Sequence, residues 1–265
     1  MKILTILFLT FTLSFAKVYY SKVQPYELRD ISSNVSGLVL FIDEDMIGKK
    51  LTSKAYIRID SELDAKELVF IKDKLEYLRS IVGVNKKVLV NLEESLVRKR
   101  GNYKRIEDLK FKSVVEKDKE YHDLISSENL YLSTQKDIQN LKVQITDLKL
   151  RVAQLQRSLK DKYLSEKGFV LYEISVKVGQ VVGVSTPLAK IADISKAKLT
   201  IYLNEVDVAD AKNKVVYIDG KQTSYKISRA LNIADSKNIS KYMAQIIIDS
   251  PKLFSKLVTI ELKDK

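Results

Sequence analysis

The sequence predicts an α+β chain in which a long antiparallel helical hairpin interrupts a small β domain, with a second β domain, a small barrel, behind it. Three observations carry this. Residues 62–162 contain no proline and place apolar residues on a heptad grid twice over. The segments on either side share a layout, a glycine, an apolar β-rich run and a second glycine eleven residues on: Gly37 to Gly48, and Gly168 to Gly179. From Ala197 onward, short apolar runs alternate with turn residues.

The first sixteen residues carry one positive charge at Lys2, an apolar run over residues 3–15 and small residues at Ser14 and Ala16. That is the pattern of an export signal cleaved after Ala16, in a run shorter than the roughly twenty residues a membrane span needs. The complete absence of cysteine excludes disulfides, thiolate metal sites, thiol catalysis and a lipidated N-terminal cysteine. The net charge is +12, and Arg98, Lys99, Arg100, Lys104 and Arg105 would suit a phosphate footprint. Acidic residues are interleaved along the same segment, however, and an exported chain does not ordinarily meet nucleic acid. The charge reads as the solvated faces of a coiled coil, with no nucleic-acid partner.

Residues 17–61 read as the first half of the split β domain, with extended runs at 18–23, 28–31, 37–42 and 55–59. The hairpin follows at 62–162. Its first seam runs through Leu68, Ile71, Leu75, Leu78, Val82, Asn85, Leu89, Leu92, Leu96, Lys99, Tyr103 and Ile106. Its second runs through Leu124, Ser127, Tyr131, Thr134, Ile138, Leu141, Ile145, Leu148, Val152, Leu155 and Leu159. A fold-back near residues 110–115 pairs Leu75 with Val152, Val82 with Ile145 and Leu96 with Tyr131. The polar seam residues Asn85 and Lys99 read as register-fixing interruptions. Residues 163–194 form the second β half. Residues 195–265 form the barrel, with a turn at Asp219-Gly220 and a short helix over 205–212.

No set of residues for chemistry emerges, so the chain reads as a non-enzyme without cofactor or metal. His122 is alone on a helix, Met46 and Met243 are isolated, and no glycine-rich phosphate loop is present. Lys49 and Lys50, near a strand turn, are the candidates for a covalently modified carrier lysine.

The order of parts, with Val35-Ser36-Gly37-Leu38-Val39, Val178-Gly179-Gln180-Val181-Val182 and Pro187-Leu188-Ala189-Lys190-Ile191 in the β halves and Leu199-Thr200-Ile201-Tyr202-Leu203 entering the barrel, resembles the periplasmic adaptor proteins. These are the membrane fusion or HlyD-type proteins of tripartite efflux and secretion systems. The resemblance implies that the split β domain is lipoyl-like, a barrel-sandwich hybrid. It also implies a ring of copies joining an inner-membrane transporter, of the RND or ABC type, to an outer-membrane channel. The family's hairpin tip carries an Arg, a Leu four residues on and a Ser seven further. Here Arg105 and Leu109 match, and Glu116 stands where the Ser is expected. The resemblance therefore implies a channel-docking tip at Arg105, Leu109, Ser113 and Glu116. A lipoyl-type carrier and a structural coiled-coil protein of the envelope remain the alternatives at this level.

Overall fold

The computed structural model describes residues 17–234, 238 and 240–264; the expected signal at residues 1–16 lies outside them. Apolar alternation makes the first strands: β1 (Val18–Lys22), β2 (Gln24–Ser32), β3 (Gly37–Ile42) and β4 (Ile57–Ile59). Then come the two helices of the hairpin, α1 (Glu62–Glu107) and α2 (Val114–Asp161). The chain returns through β5 (Tyr163–Leu164), β6 (Val170–Ile174) and β7 (Val181–Val182) to the seventeen-residue β8 (Pro187–Leu203). A short α3 (Glu205–Ala209) precedes β9 (Val215–Ile218), β10 (Lys221–Gln222), β11 (Ile227–Ala234), β12 (Tyr242–Asp249) and β13 (Leu257–Lys263). The turn between β9 and β10 uses Asp219 and Gly220, both at positive φ, as a two-residue hairpin of the primed kind requires.

Two β cores result. One gathers Val39, Ile57, Ile59, Leu171, Val182, Leu188 and Ile191, the other Leu199, Ile201, Leu203, Val216, Ile246 and Ile260. Strand β8 belongs to both. It pairs with β2 from Pro187 to Lys198, with β6 along its first half and with β12 along its second. The expected boundary at residues 194 and 195 therefore falls inside one continuous strand. A second difference concerns β1, grouped by sequence with residues 17–61. It pairs with β13, and its Ser21 hydroxyl accepts the Thr200 amide at 2.8 Å. Nearby, Asp207 accepts from the Tyr19 hydroxyl at 2.7 Å and the Lys17 ammonium at 2.8 Å, fastening the strand to α3. Its local alternation is the same in either sheet, so periodicity alone could not assign it.

The first core is stitched together by a reciprocal exchange between its halves. The Gly48 amide donates to the Leu171 carbonyl at 2.8 Å, and the Leu171 amide donates to Lys49 at 3.2 Å. In the mirrored arrangement the Gly179 amide donates to Val39 at 2.9 Å and the Val39 amide to Gln180 at 2.9 Å. Gly48 and Gly179 both have positive φ, which is what the spaced glycines provide. Gly37 does a different job: a Cβ there would lie 2.7 Å from the Ile59 Cγ2.

The helices leave and re-enter this unit side by side. Strands β4 and β5 pair through Ile57 with Leu164 and Arg58 with Tyr163, and the Ile59 amide donates to the Lys162 carbonyl at 2.9 Å. At the first turn of α1, Asp64 accepts from the Ser158 hydroxyl at 2.7 Å and the Lys162 ammonium at 2.9 Å. Burial opposes ionisation of Asp64, but these partners outweigh it and hold the carboxyl below its usual range. Outward from there Leu75, Leu78 and Leu96 are buried against α2, which contributes Leu124, Ile138, Ile145 and Leu155. All seven are seam residues. Lys99, the second polar interruption, donates across to the Asp123 carbonyl at 3.3 Å.

Two substitutions test the first core. Ile59 is buried and cannot yield, so Gly37→Ala should destabilise by about 1–3 kcal/mol in urea unfolding. The Tyr56 hydroxyl is buried with no hydrogen-bond partner among the described residues, and burial pushes its pKa above the tyrosine range. Tyr56→Phe removes the stranded hydroxyl while keeping the ring, and should stabilise by about 1 kcal/mol in the same assay.

Candidate functional site: the hairpin tip

At 1.5 Å per residue, helices of 46 and 48 residues carry the far end roughly 70 Å from the β units. No core is within reach there, so the helix ends must satisfy their own backbone groups. Helix α2 does so with a capping box. The Ser113 hydroxyl accepts the Glu116 amide at 3.3 Å, and the Glu116 carboxylate accepts the Ser113 amide at 3.0 Å. Lys112 pairs with the same carboxylate at 2.9 Å. At the end of α1, the Lys117 ammonium donates to the Glu107 carbonyl at 2.7 Å, placing a cation at the negative end of the helix dipole.

The four residues singled out by sequence thus divide. Ser113 and Glu116 are joined to each other within the turn, so Glu116 has a structural task at the position where the family pattern has Ser. Arg105 folds back along its own helix, donating to the Asn102 side chain at 2.6 Å and the Gly101 carbonyl at 3.3 Å. Leu109 lies half-buried in the turn, where its amide donates to the Ile106 carbonyl at 3.1 Å.

What the sequence reading passed over is the apolar surface at the tip. Phe111, Val114 and Val115 are 80%, 72% and 77% exposed and sit together around the turn. They escaped notice because they lie off the seam. The available signal was three large apolar residues where a connection ordinarily carries polar, glycine or proline residues. Lys104, Lys110 and Lys119 are exposed in the residues that flank them, and so are Glu107, Asp108 and Asp118. An exposed apolar knob on a self-capped turn, flanked by charges of both signs, is the kind of surface that another molecule covers. It offers nothing for bond-making chemistry.

The other candidates stay apart from this end. Lys49 and Lys50 are exposed beside the Gly48 turn of the first β core, and His122 is exposed on α2 with its ring 6.1 Å from Tyr121. Among the described residues, no group of three or more potential ligands is placed to hold a metal ion, and no helix is long and apolar enough to cross a membrane.

Hydrogen bonds from Lys112 and Ser113 bring the Glu116 carboxyl from its ordinary 4.5 down to about 2. A depressed folded value means that the cap is at full strength above pH 4.5 and is lost as the pH falls toward 2. Residue-specific NMR shifts of the first turn of α2 should report fraying across that window while the seam residues stay helical. Ser113→Ala should weaken the same turn by about 1 kcal/mol, read as faster amide exchange over residues 114–117.

No protein-family model matches the sequence, and no curated protein matches it. Solved structures do. The chain superposes on MacA from Actinobacillus actinomycetemcomitans with a TM-score of 0.71 at 17% identity, covering 93% of this chain and 78% of that one. A MacA-MexA chimera containing the Pseudomonas aeruginosa MexA α-hairpin domain gives 0.54 at 17% identity, over 94% and 82%. A membrane fusion protein from Streptococcus pneumoniae gives 0.53 at 12% identity, over 94% of this chain and all of the other. The resemblance carried by the order of parts in the sequence is therefore matched in three dimensions: the chain has the fold of the membrane fusion proteins.

Proposed function

We propose that this protein is an exported adaptor that joins an inner-membrane transporter, met by its β units, to an outer-membrane channel, met by the hairpin tip. The observation that carries this reading is the tip itself. A rigid arm of roughly 70 Å holds Phe111, Val114 and Val115 out to solvent on a turn that is capped from within. Such an arm reaches a partner well beyond the body that anchors it. In this reading residues 1–16 direct export to the periplasm. The cross-stitched unit acts as a lipoyl-like, barrel-sandwich hybrid, and the unit entered through the second half of β8 as the barrel. Several copies stand side by side in a closed ring around a conduit. The chain supplies geometry and contact, and the energy for transport comes from the transporter, of the RND or ABC type.

The tip makes the test direct. A photoreactive residue in place of Leu109 should cross-link in cells to a single outer-membrane protein. Adding Phe111→Asp or Val115→Asp, each placing a charge at the centre of a desolvated contact, should remove that adduct and raise sensitivity to the exported compound. The circular dichroism of both variants should match the native protein, because neither side chain is packed. Arg105→Asp should act in the same direction. Normal export by the Phe111→Asp and Arg105→Asp strains would refute the assignment of the tip.

A further inference from the structure

The sheet of β2, β8, β12 and β11 turns one face to the barrel core and the other outward. Leu199, Ile227 and Ile246 are buried on the core side, so their neighbours Lys198, Ser228, Gln245 and Ile247 point outward. On that outer face lies a cavity of about 390 Å³, lined by Tyr26, Lys198, Arg229, Gln245 and Ile247 together with Glu27 and Ser228. Arg229 reaches this face only because β11 is irregular. Ile227 stands opposite Ile246 and Arg229 opposite Gln245, two steps against one, so Ser228 is the extra residue of a bulge. Plain alternation from the buried Ile227 would turn Arg229 inward. The Ser228 hydroxyl donates to the Gln245 carbonyl at 2.8 Å and holds the bulge in place.

The donors gathered there are unspent. Lys198 and Arg229 make no ion pair or side-chain hydrogen bond among the described residues, and the Tyr26 hydroxyl has no partner among them either. The Gln245 amide reaches only the Met243 sulfur, at 4.0 Å. Glu27, the carboxylate of the lining, is already held by Arg29 through two bonds of 2.7 and 2.9 Å. Gln245 stands opposite Thr200 and Ile247 opposite Lys198. Arg229 and Lys198 are therefore two strands and two residues apart, roughly 12 Å between Cα atoms. Their long side chains can lean over Gln245 and Ile247 from either side. The cavity at the hairpin root differs: Lys160 and Glu166 line it with opposite signs, and its Arg157 is paired with Asp161 at 2.9 Å.

We infer that this outer face of the barrel is a binding site for a small amphipathic organic anion, a flat apolar body with carboxylate or other oxyanion groups at its ends. Lys198 and Arg229 take the oxyanions, the guanidinium through two parallel bonds. Ile247 and the Tyr26 ring cover the apolar body, and the Gln245 amide adds a donor between the two cations. The size suits a small ligand, since such sites run to about 300–1,000 Å³, whereas a stable protein partner covers about 800 Å². A neutral apolar molecule would cover two cations without pairing either, at a cost in desolvation. The site stands on the barrel and depends neither on the adaptor reading nor on what the tip binds.

Terephthalate, a flat ring with a carboxylate at each end, is a suitable probe. Titrated into the mature full-length chain, it should shift the backbone amide NMR signals of Lys198, Arg229, Gln245 and Ile247 to saturation. Lys198→Gln and Arg229→Gln should each weaken that binding by roughly tenfold, the loss of one charge-assisted contact, with unchanged circular dichroism. Lys226→Gln removes the same charge just before β11 without touching the cavity, and should leave the affinity as it is. Benzyl alcohol, with a ring and no charge, should not saturate these amides, and inorganic phosphate should bind them at least tenfold more weakly than terephthalate. Absence of saturable shifts at these four residues would overturn the inference. So would an equal loss in the Lys226→Gln variant, which would reduce the effect to net charge, or equal binding of phosphate or benzyl alcohol, which would remove the amphipathic ligand.

Discussion

The structure depends on the exchange that closes the first β core, in which the turn of each half bonds to the strand of the other. Leu171 takes the Gly48 amide and gives its own to Lys49; Val39 takes the Gly179 amide and gives its own to Gln180. Each half by itself has unpaired backbone and one open apolar face, so neither is stable until the other arrives. The halves are separated by the whole hairpin, and bringing chain ends together across such a length costs entropy that grows only slowly with length. A hairpin that folds on its own seam removes most of even that cost, because β4 and β5 emerge from it already adjacent. The heptads thus bear on the β core as well as on the arm.

The same dependence runs outward. At the root, Asp64 is held by Ser158 and Lys162 beside the β4 and β5 pairing, so the arm's direction is fixed where leverage is greatest. Along the arm, isolated leucines and isoleucines are buried in a seam only one residue deep on each helix, which gives less stability per residue than a globular core. The tip lies beyond any core, and there the helices rely on the Ser113 and Glu116 box and on Lys117 at the end of α1. Glu116 illustrates how a local requirement can occupy a position read as functional: a carboxylate at the third helical residue completes the cap.

The hairpin was legible because heptad spacing is a local and repetitive signal. The spaced glycines were legible because positive φ is demanded at Gly48 and Gly179, although Gly37 is glycine for lack of room beside Ile59. Strand β1 was not legible, since Tyr19 and Ser21 alternate identically whichever sheet receives them and only the distant pairing with β13 decides. The unbroken course of β8 was hidden by Asp193, Ser195 and Lys196, which resemble a linker in sequence and lie within the strand in three dimensions. At the tip, Phe111, Val114 and Val115 were visible as letters, but their meaning came from exposure, which spacing does not encode.

The long strand also joins the two β units. Leu188, Ala189 and Ile191 serve one core and Ala197, Leu199, Ile201 and Leu203 the other, while β2 runs antiparallel beside both stretches. Between the two stretches the ladder of β2 and β8 shifts register, Pro25 standing opposite Ala197 and Glu27 opposite Asp193, so the junction of the two cores is a bulged segment of β8. The arm leaves the first of these cores, and with its root held by Asp64, Ser158 and Lys162 its direction is set by that core, whatever the bulged junction allows the second core to do.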